Sequence, residues 1–530
     1  MTETITGTDR SNGVSWAELL ERDTHPVSEV LRRQSPMEPG NTRVPAAAYT
    51  SRTWHDMEVD RLWSRVWQLA CLEDDIPNVG DYHVYDIARL SFVVVRTAPG
   101  EIKAYNNACL HRGRQLRHEP GKGAKNLRCA FHGWCWNLDG SLKEIPCEWD
   151  FPEIDTAQLD LPEASVGTWQ GFVFINPDRD AAPLADFLEG LDEHFSLLPF
   201  TKRYKRAHIR KIMPCNWKAC QEAFMEAYHV VATHPTLMDD LGDANSAYDV
   251  FDNFSRAVSP HAVPSPHLAN MAHHEHPVDA KQFARWRHPM NGDIYQRLTG
   301  GIDGTALVEV TDLDGNISVF DHEGLWQHGP LTQADPHLCL WIGGPLLEGM
   351  EDIPLMLPDP PDGVENVRGW IADQKRAGLA ERWADHLDVE AFSDAEMIDA
   401  MFYSVFPNIS PWGPFSELFY RFRPNGDNPD ECIFEIMFFP PWPDDDTRPE
   451  PATPIDLGVD DDWSLAPAMG PLFKIFQQDS LNLPKVQRGL KYQERQEVIF
   501  ASYGEAKIRH FWQNLNAWLE IGETDVEIRS

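Results

Sequence analysis

Between residues 82 and 176 the chain alternates short apolar runs with Pro, Gly or charged turns. This period-two pattern predicts strands over Tyr82–Ile87, Ser91–Arg96 and Ile102–Asn106. The run closes on Gly171–Asn176, which reads GFVFIN, so a small antiparallel β domain is expected over residues 46–178. Ahead of it, His55–Leu69 places Met57, Leu62, Val66 and Trp67 on one face and predicts an amphipathic helix. Residues 1–45 are polar and Pro-containing, with one short helical stretch near Trp16–Arg22, and read as an arm. Helical signal returns at Pro183–Phe195, and His208–Met213 reads as a strand entering a larger domain, 179–530. Within it, residues from about 239 to 330, rich in His, Met and Pro, are expected as an insertion forming a lid or wall. The Pro/Asp-rich run Pro440–Pro454 reads as an exposed loop and Phe473–Leu519 as largely helical. Strands followed by helices give an α+β chain without internal repeats or low-complexity tracts.

Two loops of the β region carry the first chemistry. Cys109-Leu110-His111 and Cys129-Ala130-Phe131-His132 stand with 17 residues between them. Two thiolates and two imidazoles make a four-ligand metal set, and the donor count alone also admits structural zinc. Gly113 and Gly133 let each loop turn sharply. A zinc finger draws its His pair from one helix, whereas here each loop gives one Cys and one His. That mixed order suits a Rieske [2Fe-2S] cluster, with Cys109 and Cys129 on the inner iron and His111 and His132 on the outer.

At 530 residues the chain has room for two to four domains, far more than an electron-relay module needs. A hydrophobic share of 42% and 19 Trp describe a folded chain. Nine Cys, an odd number, do not look like a disulfide framework. With no apolar run near the roughly 20 residues a membrane span needs, and no signal-peptide core, a cytoplasmic protein is expected. A net charge of −37 argues against nucleic acid and anionic membranes as partners. Between His111 and Cys129, however, stand Arg112, Arg114, Arg117, Lys122, Lys125 and Arg128 against the single acid Glu119. This basic island either docks an acidic electron donor or pairs with carboxylates of a neighbouring domain or subunit.

The second constellation lies in Asn216–Pro235, which reads as one helix rich in Ala, Glu and Met and stopped by Pro235. Glu222, Glu226 and His229, at i, i+4 and i+7, then share a face. His234 would sit about 140° around an ideal helix from His229. Its place before a proline pushes it out of helical geometry, so it can swing back. Two converging imidazoles plus a carboxylate from elsewhere form the facial triad of mononuclear Fe(II) oxygenases.

CLHRG and CAFHGW, together with NWK, an acid, YH and a second His, resemble the Rieske non-haem iron oxygenases of the aromatic-ring-hydroxylating type. The resemblance is to their alpha subunit, the terminal oxygenase. Respiratory Rieske proteins carry an extra Cys on each loop; here Arg114 and Ala130-Phe131 stand nearby, which favours a low-potential cluster fed by a separate ferredoxin or reductase. The resemblance implies an antiparallel Rieske domain and a catalytic domain with an antiparallel sheet covered by helices. It implies His229 and His234 as iron ligands, with Glu226 where the family usually has an Asp linking cluster and iron. Ala223 stands where many relatives have Asn. For the third ligand it points to Asp479, set in Gln477-Gln478-Asp479 before Gln487-Arg488-Gly489, with Asp399 as runner-up. It further implies a head-to-tail homotrimer, with or without a separate beta subunit, each cluster serving its neighbour's iron.

Activity follows as an expectation: O2-dependent oxidation of a small apolar substrate, aromatic or polycyclic. The alternatives are a monooxygenase or demethylase acting on a methylated amine or ether, and a non-catalytic Rieske electron-transfer protein. Phe224, Met225, Phe402 and Phe406 read either as pocket walls or as core. His261, His267, His273, His274 and His276 lack ligand spacing and read as solvated lid histidines.

Overall fold

The computed structural model describes residues 13–271, 283–298, 304–350, 360–383, 387–442 and 448–521; His273, His274 and His276 lie outside them. The expected strands pair into a six-stranded antiparallel sheet in the order Gln68–Leu72, Phe172–Asn176, Glu163–Trp169, Glu101–Asn106, Leu90–Ala98, Tyr82–Ile87. Leu90–Ala98 is apolar on both faces because it divides two cores. Phe92 and Val94 face the main core, while Val93 and Val95 face a smaller one that holds Cys109, Cys129, Trp134 and Trp136. A three-stranded sheet, Leu127–Arg128, Cys135–Trp136 and Leu142–Glu144, closes that smaller core beneath the two loops.

The larger sheet has eight strands, ordered Ala247–Val250, Phe254–Ser259, Ala400–Val405, Ile409–Pro411, Leu418–Asn425, Asn428–Phe438, Ala207–Met213 and Ile455–Leu457. All neighbours are antiparallel except the last pair, which is parallel. Helices Trp217–Glu222, Phe473–Leu490 and Ala506–Leu519 pack on it. Because residues 247–259 belong to this sheet, the inserted stretch begins later than 239. It forms its own five-stranded sheet from Arg285–Arg287 to Trp326–His328, backed by helix Pro336–Gly343. Among the described residues no helix is long and apolar enough to cross a membrane.

Three expected elements are corrected by tertiary pairing. The helix expected over His55–Leu69 is an α-helix only over Arg52–Glu58, continued by a π turn at Val59–Trp63; Gln68–Leu72 is instead drawn into the sheet against Phe172–Ile175. Pro183–Phe195 folds as two short helical pieces, Leu184–Phe187 and Leu191–Phe195. The arm is pinned rather than loose. Trp16, Leu19, Leu20 and Leu31 are buried, and Arg256 donates to the carbonyls of Val30 and Arg33 at 2.9 Å each.

The pin ends on Asp399. Its buried carboxylate accepts from Trp16 Nε1 (3.0 Å), His261 N–H (2.9 Å) and both Nη atoms of Arg368 (2.7 and 3.0 Å). His261 beside it is not a solvated lid residue, since burial pushes its imidazole down to about 4. A second buried acid, Glu222, accepts from Tyr49 Oη (2.9 Å) and Trp512 Nε1 (2.7 Å). Desolvation outweighs both hydrogen bonds and lifts its carboxyl to about 8.

Asp399→Ala leaves Arg368 buried without its carboxylate and should cost about 3–5 kcal/mol of stability in denaturant titration. Trypsin should then cut the released arm first; an unchanged midpoint would refute the pin. A carboxyl raised in the folded state favours folding below its unfolded value and loses that contribution as pH rises through about 8. Glu222→Gln should therefore gain on the wild type between pH 5 and 8 by on the order of 1–3 kcal/mol, read as a pH-dependent gap between melting curves.

Candidate functional site

The two Cys-His loops share one backbone plan. Each Cys N–H donates to the carbonyl five residues on, Cys109 to Arg114 (2.9 Å) and Cys129 to Trp134 (2.8 Å). Each glycine N–H returns to the Cys carbonyl, Gly113 at 2.8 Å and Gly133 at 3.1 Å. Both glycines hold positive φ, +72° and +81°, which a side chain would strain. The thiols of Cys109 and Cys129 are buried and hydrogen-bonded to each other. Backbone N–H groups of His111 and Arg112 point at the first sulfur, and those of Phe131 and His132 at the second; burial still raises the Cys109 thiol, while at Cys129 burial is outweighed and the thiol is lowered. The rings of His111 and His132 lie 4.5 Å apart on the outer side, and His111 stacks on Trp134 at 5.1 Å. Nδ1 of His111 is buried without a hydrogen-bond partner, as a nitrogen reserved for a metal would be. Sulfur donors inside and imidazoles outside fit a [2Fe-2S] cluster.

The basic island divides. Arg117 spends its guanidinium on the carbonyls of Leu116, Asn126 and Arg128, and Arg128 on Gly133 O and the Glu144 carboxylate (2.5 Å). These two brace the loops. Arg112, over the exposed Phe131 ring at 5.2 Å and close to His132, lies on the surface, as does Arg114, whose Nη1 donates to Gln115 O (2.7 Å).

The expected helix 216–235 is broken. It is helical over Trp217–Glu222 and again over Val230–Thr233. No Gly or Pro lies between, so the break is not local. Side chains take the amide hydrogens instead: Ala227 N–H donates to Tyr248 Oη (3.0 Å) and His229 N–H to Glu226 Oε2 (3.0 Å). Glu222 is held by Tyr49 and Trp512, and it still lines the same cavity as Glu226 and His229. Its neighbours explain NWK: Asn216 caps the helix through Lys218 N–H (3.1 Å), while Trp217 and Lys218 both bond the buried Glu58. Gln487 accepts from Asn216 N–H (2.9 Å), fastening this helix to Phe473–Leu490.

At the break His229 and His234 converge, their rings 5.2 Å apart. His234, in the expected non-helical geometry, closes the second piece. Asp479, inside Phe473–Leu490 rather than capping it, completes the group. Its Oδ1 lies 3.1 Å from His234 Nε2 and 3.6 Å from His229 Nε2, and one ligand atom from each of the three fits within 4.8 Å of the others. Two imidazole nitrogens and a carboxylate oxygen suit Fe(II). Asp399 is elsewhere, committed to Arg368. The far nitrogens are also held: His229 Nδ1 by Glu226 Oε1 (2.6 Å) and His234 Nδ1 by Gln478 Oε1 (2.8 Å). Burial acts to lower the His229 imidazole, but the Glu226 and Asp479 carboxylates outweigh it and raise it to about 9. Tyr248 and Gln478 had no sequence signal, as their roles arise only from strand and helix packing.

A cavity of about 550 Å³ opens beside His229, Glu226 and Asp479. Its walls are mainly aliphatic, from Ala219, Ala223, Leu483, Val486, Leu490 and Val498. Of the two readings open for Phe224, Met225, Phe402 and Phe406, core is the one observed, and none of them lines the cavity. Phe224 packs with Phe434 and Tyr420, Phe402 stacks on Trp412, Phe406 meets Phe511, and Met225 is core.

Comparison with known proteins places these centres. Residues 66–155 match the Rieske [2Fe-2S] domain, and residues 200–298 and 351–521 match the ring hydroxylating alpha subunit (catalytic domain). The chain is 32% identical over 197 residues to biphenyl 2,3-dioxygenase subunit alpha of Rhodococcus jostii, covering 36% of this chain and 43% of that protein. It is 30% identical over 201 residues to the carnitine monooxygenase oxygenase subunit of Escherichia coli, covering 37% and 54%. It thus spans about half the length of the curated relatives it matches. In fold it resembles a quaternary ammonium Rieske monooxygenase (TM-score 0.52, 15% identity, 91% of this chain and 96% of that one). It equally resembles a naphthalene 1,2-dioxygenase variant (TM-score 0.52, 19% identity, 94% and 96%). With the catalytic-domain match covering just over half of its residues, the chain belongs to the ring-hydroxylating alpha-subunit family, which joins a Rieske [2Fe-2S] domain to a domain that binds mononuclear iron.

Proposed function

We propose that this protein is a terminal oxygenase that uses O2 to hydroxylate a small apolar substrate, aromatic or polycyclic. A separate ferredoxin or reductase supplies the electrons, and the working unit is a homotrimer. The observation that carries the reading is the convergence of His229, His234 and Asp479 at the edge of an aliphatic cavity, in a chain that also has the two Cys-His loops. Cys109, Cys129, His111 and His132 would hold the cluster; His229, His234 and Asp479 would hold ferrous iron. When bound, the cluster supplies single electrons and the iron a centre that binds O2.

The chain's own residues do the rest. Glu226 accepts the Nδ1 hydrogen of His229, which fixes the ring with Nε2 towards the centre, where a bound metal would take the place of the second proton. The aliphatic walls bind apolar surface and exclude water at about 25 cal/mol per Å2 buried. At neutral pH Glu222 lines the cavity mostly uncharged, and Tyr49 is its sole aromatic among the described lining residues. A quaternary ammonium needs an aromatic cage or a free facing anion; the two carboxylates here, Glu226 and Asp479, are engaged with His229 and His234, so these walls favour an apolar guest.

His229→Ala should abolish product and lower iron from about three to about two per chain, while leaving the cluster's visible spectrum intact. Oxygen uptake by the wild type should respond to aromatic hydrocarbons at least about tenfold more than to carnitine or choline, in line with the cost of desolvating a cation. A variant still active, or uptake driven by the amines alone, would overturn the assignment. Arg112 and Arg114, exposed on the first cluster loop, suit an acidic electron donor. Arg112→Glu with Arg114→Glu should therefore raise the apparent KM for an acidic ferredoxin by about tenfold at low salt, and the gap should close as ionic strength rises.

A further inference from the structure

Helix Pro336–Gly343 lies in residues 299–350, which the catalytic-domain match leaves out. Asp335 caps it, accepting the N–H groups of His337 (2.8 Å) and Leu338 (3.0 Å), and it packs on Phe473–Leu490. From its first turn the carbonyl of His337 accepts Nε2–H of Gln478 at 3.1 Å. Gln478 is fully buried, and its other end, Oε1, lies 2.8 Å from Nδ1 of His234.

These contacts form a chain of obligatory donors and acceptors. A backbone carbonyl only accepts, so the Gln478 amide must turn its NH2 to His337 and its oxygen to His234. Flipping it would set two oxygens against each other. An amide oxygen also only accepts, so the hydrogen of the neutral His234 ring must sit on Nδ1. The lone pair then falls on Nε2, 3.1 Å from Asp479 Oδ1, and a metal ion held by both would reconcile these two acceptors. The two imidazoles are thus set by different groups: His229 by a carboxylate, His234 by an uncharged amide.

We infer that Gln478 is a positioning residue that fixes the tautomer of His234, and that the main chain of the inserted helix 336–343 fixes Gln478. The inference rests on the reading of His229, His234 and Asp479 as a metal centre and names the element that orients it.

Equilibrium dialysis against Co(II) tests it, using cluster-containing protein stripped of mononuclear metal, with the cluster's visible spectrum as the check on folding. Gln478→Leu removes the acceptor and should raise the apparent Co(II) Kd by about 10–100-fold. His337→Ala removes the ring but keeps the carbonyl, so it should stay within about threefold of wild type. Gln478→Met, closer in length, removes the same acceptor and should match the leucine variant; it serves if the leucine variant does not fold. The inference is overturned if Gln478→Leu or Gln478→Met binds like wild type, or if His337→Ala weakens binding as much as Gln478→Leu. His229→Ala separates the underlying reading: unchanged Co(II) binding there means the centre itself is misassigned, whatever Gln478 does.

Discussion

The centre depends on an interrupted helix. Had Asn216–Pro235 run on unbroken, His234 would point well away from His229, and no single carboxylate would reach both. The interruption replaces backbone ladder bonds with side-chain acceptors, Tyr248 for Ala227 and Glu226 for His229, so the amide hydrogens stay paired. Leaving one buried N–H unpaired would cost on the order of 1–3 kcal/mol. The same carboxylate that ends the ladder also holds His229 Nδ1, so helix termination and ring orientation are one event.

Around this point buried charge fixes where the pieces sit. Glu435, wholly buried on the large sheet, holds Arg421, Arg423 and His208. Arg421 reaches across to the carbonyls of Leu69 and Ala70, and Arg423 to that of Asp86, so the large sheet donates hydrogen bonds to the cluster-bearing one. The opposing guanidinium charges hold the Glu435 carboxyl far below the usual carboxylate range, against the pull of burial. Glu58 does the same for helix Trp217–Glu222 through Trp217 and Lys218. Buried pairs of this kind add little net stability, but removing one partner strands the other at about 3–5 kcal/mol. They set register between elements rather than strength.

The cluster loops were legible because their chemistry is local: Cys, His and a positive-φ glycine within a few residues determine each loop whatever surrounds it. His229 and His234 were legible for the same reason, through the proline that frees the second. Phe402 and Phe406 stayed open between pocket wall and core because an aromatic residue reads alike as either, and only packing against Trp412 and Phe511 settles them as core.

The sequence by itself determined the donor sets, the strand-rich region that carries the first of them and the helical C-terminus, since each follows from spacing or period. Tertiary structure alone decided the break after Glu222, the commitment of Asp399 to Trp16 and Arg368, and the contacts of Gln478. Those three depend on partners up to 383 residues away, as the bond from Trp16 to Asp399 illustrates. No local propensity encodes which distant side chain will satisfy a given amide, carboxylate or ring nitrogen once water is excluded.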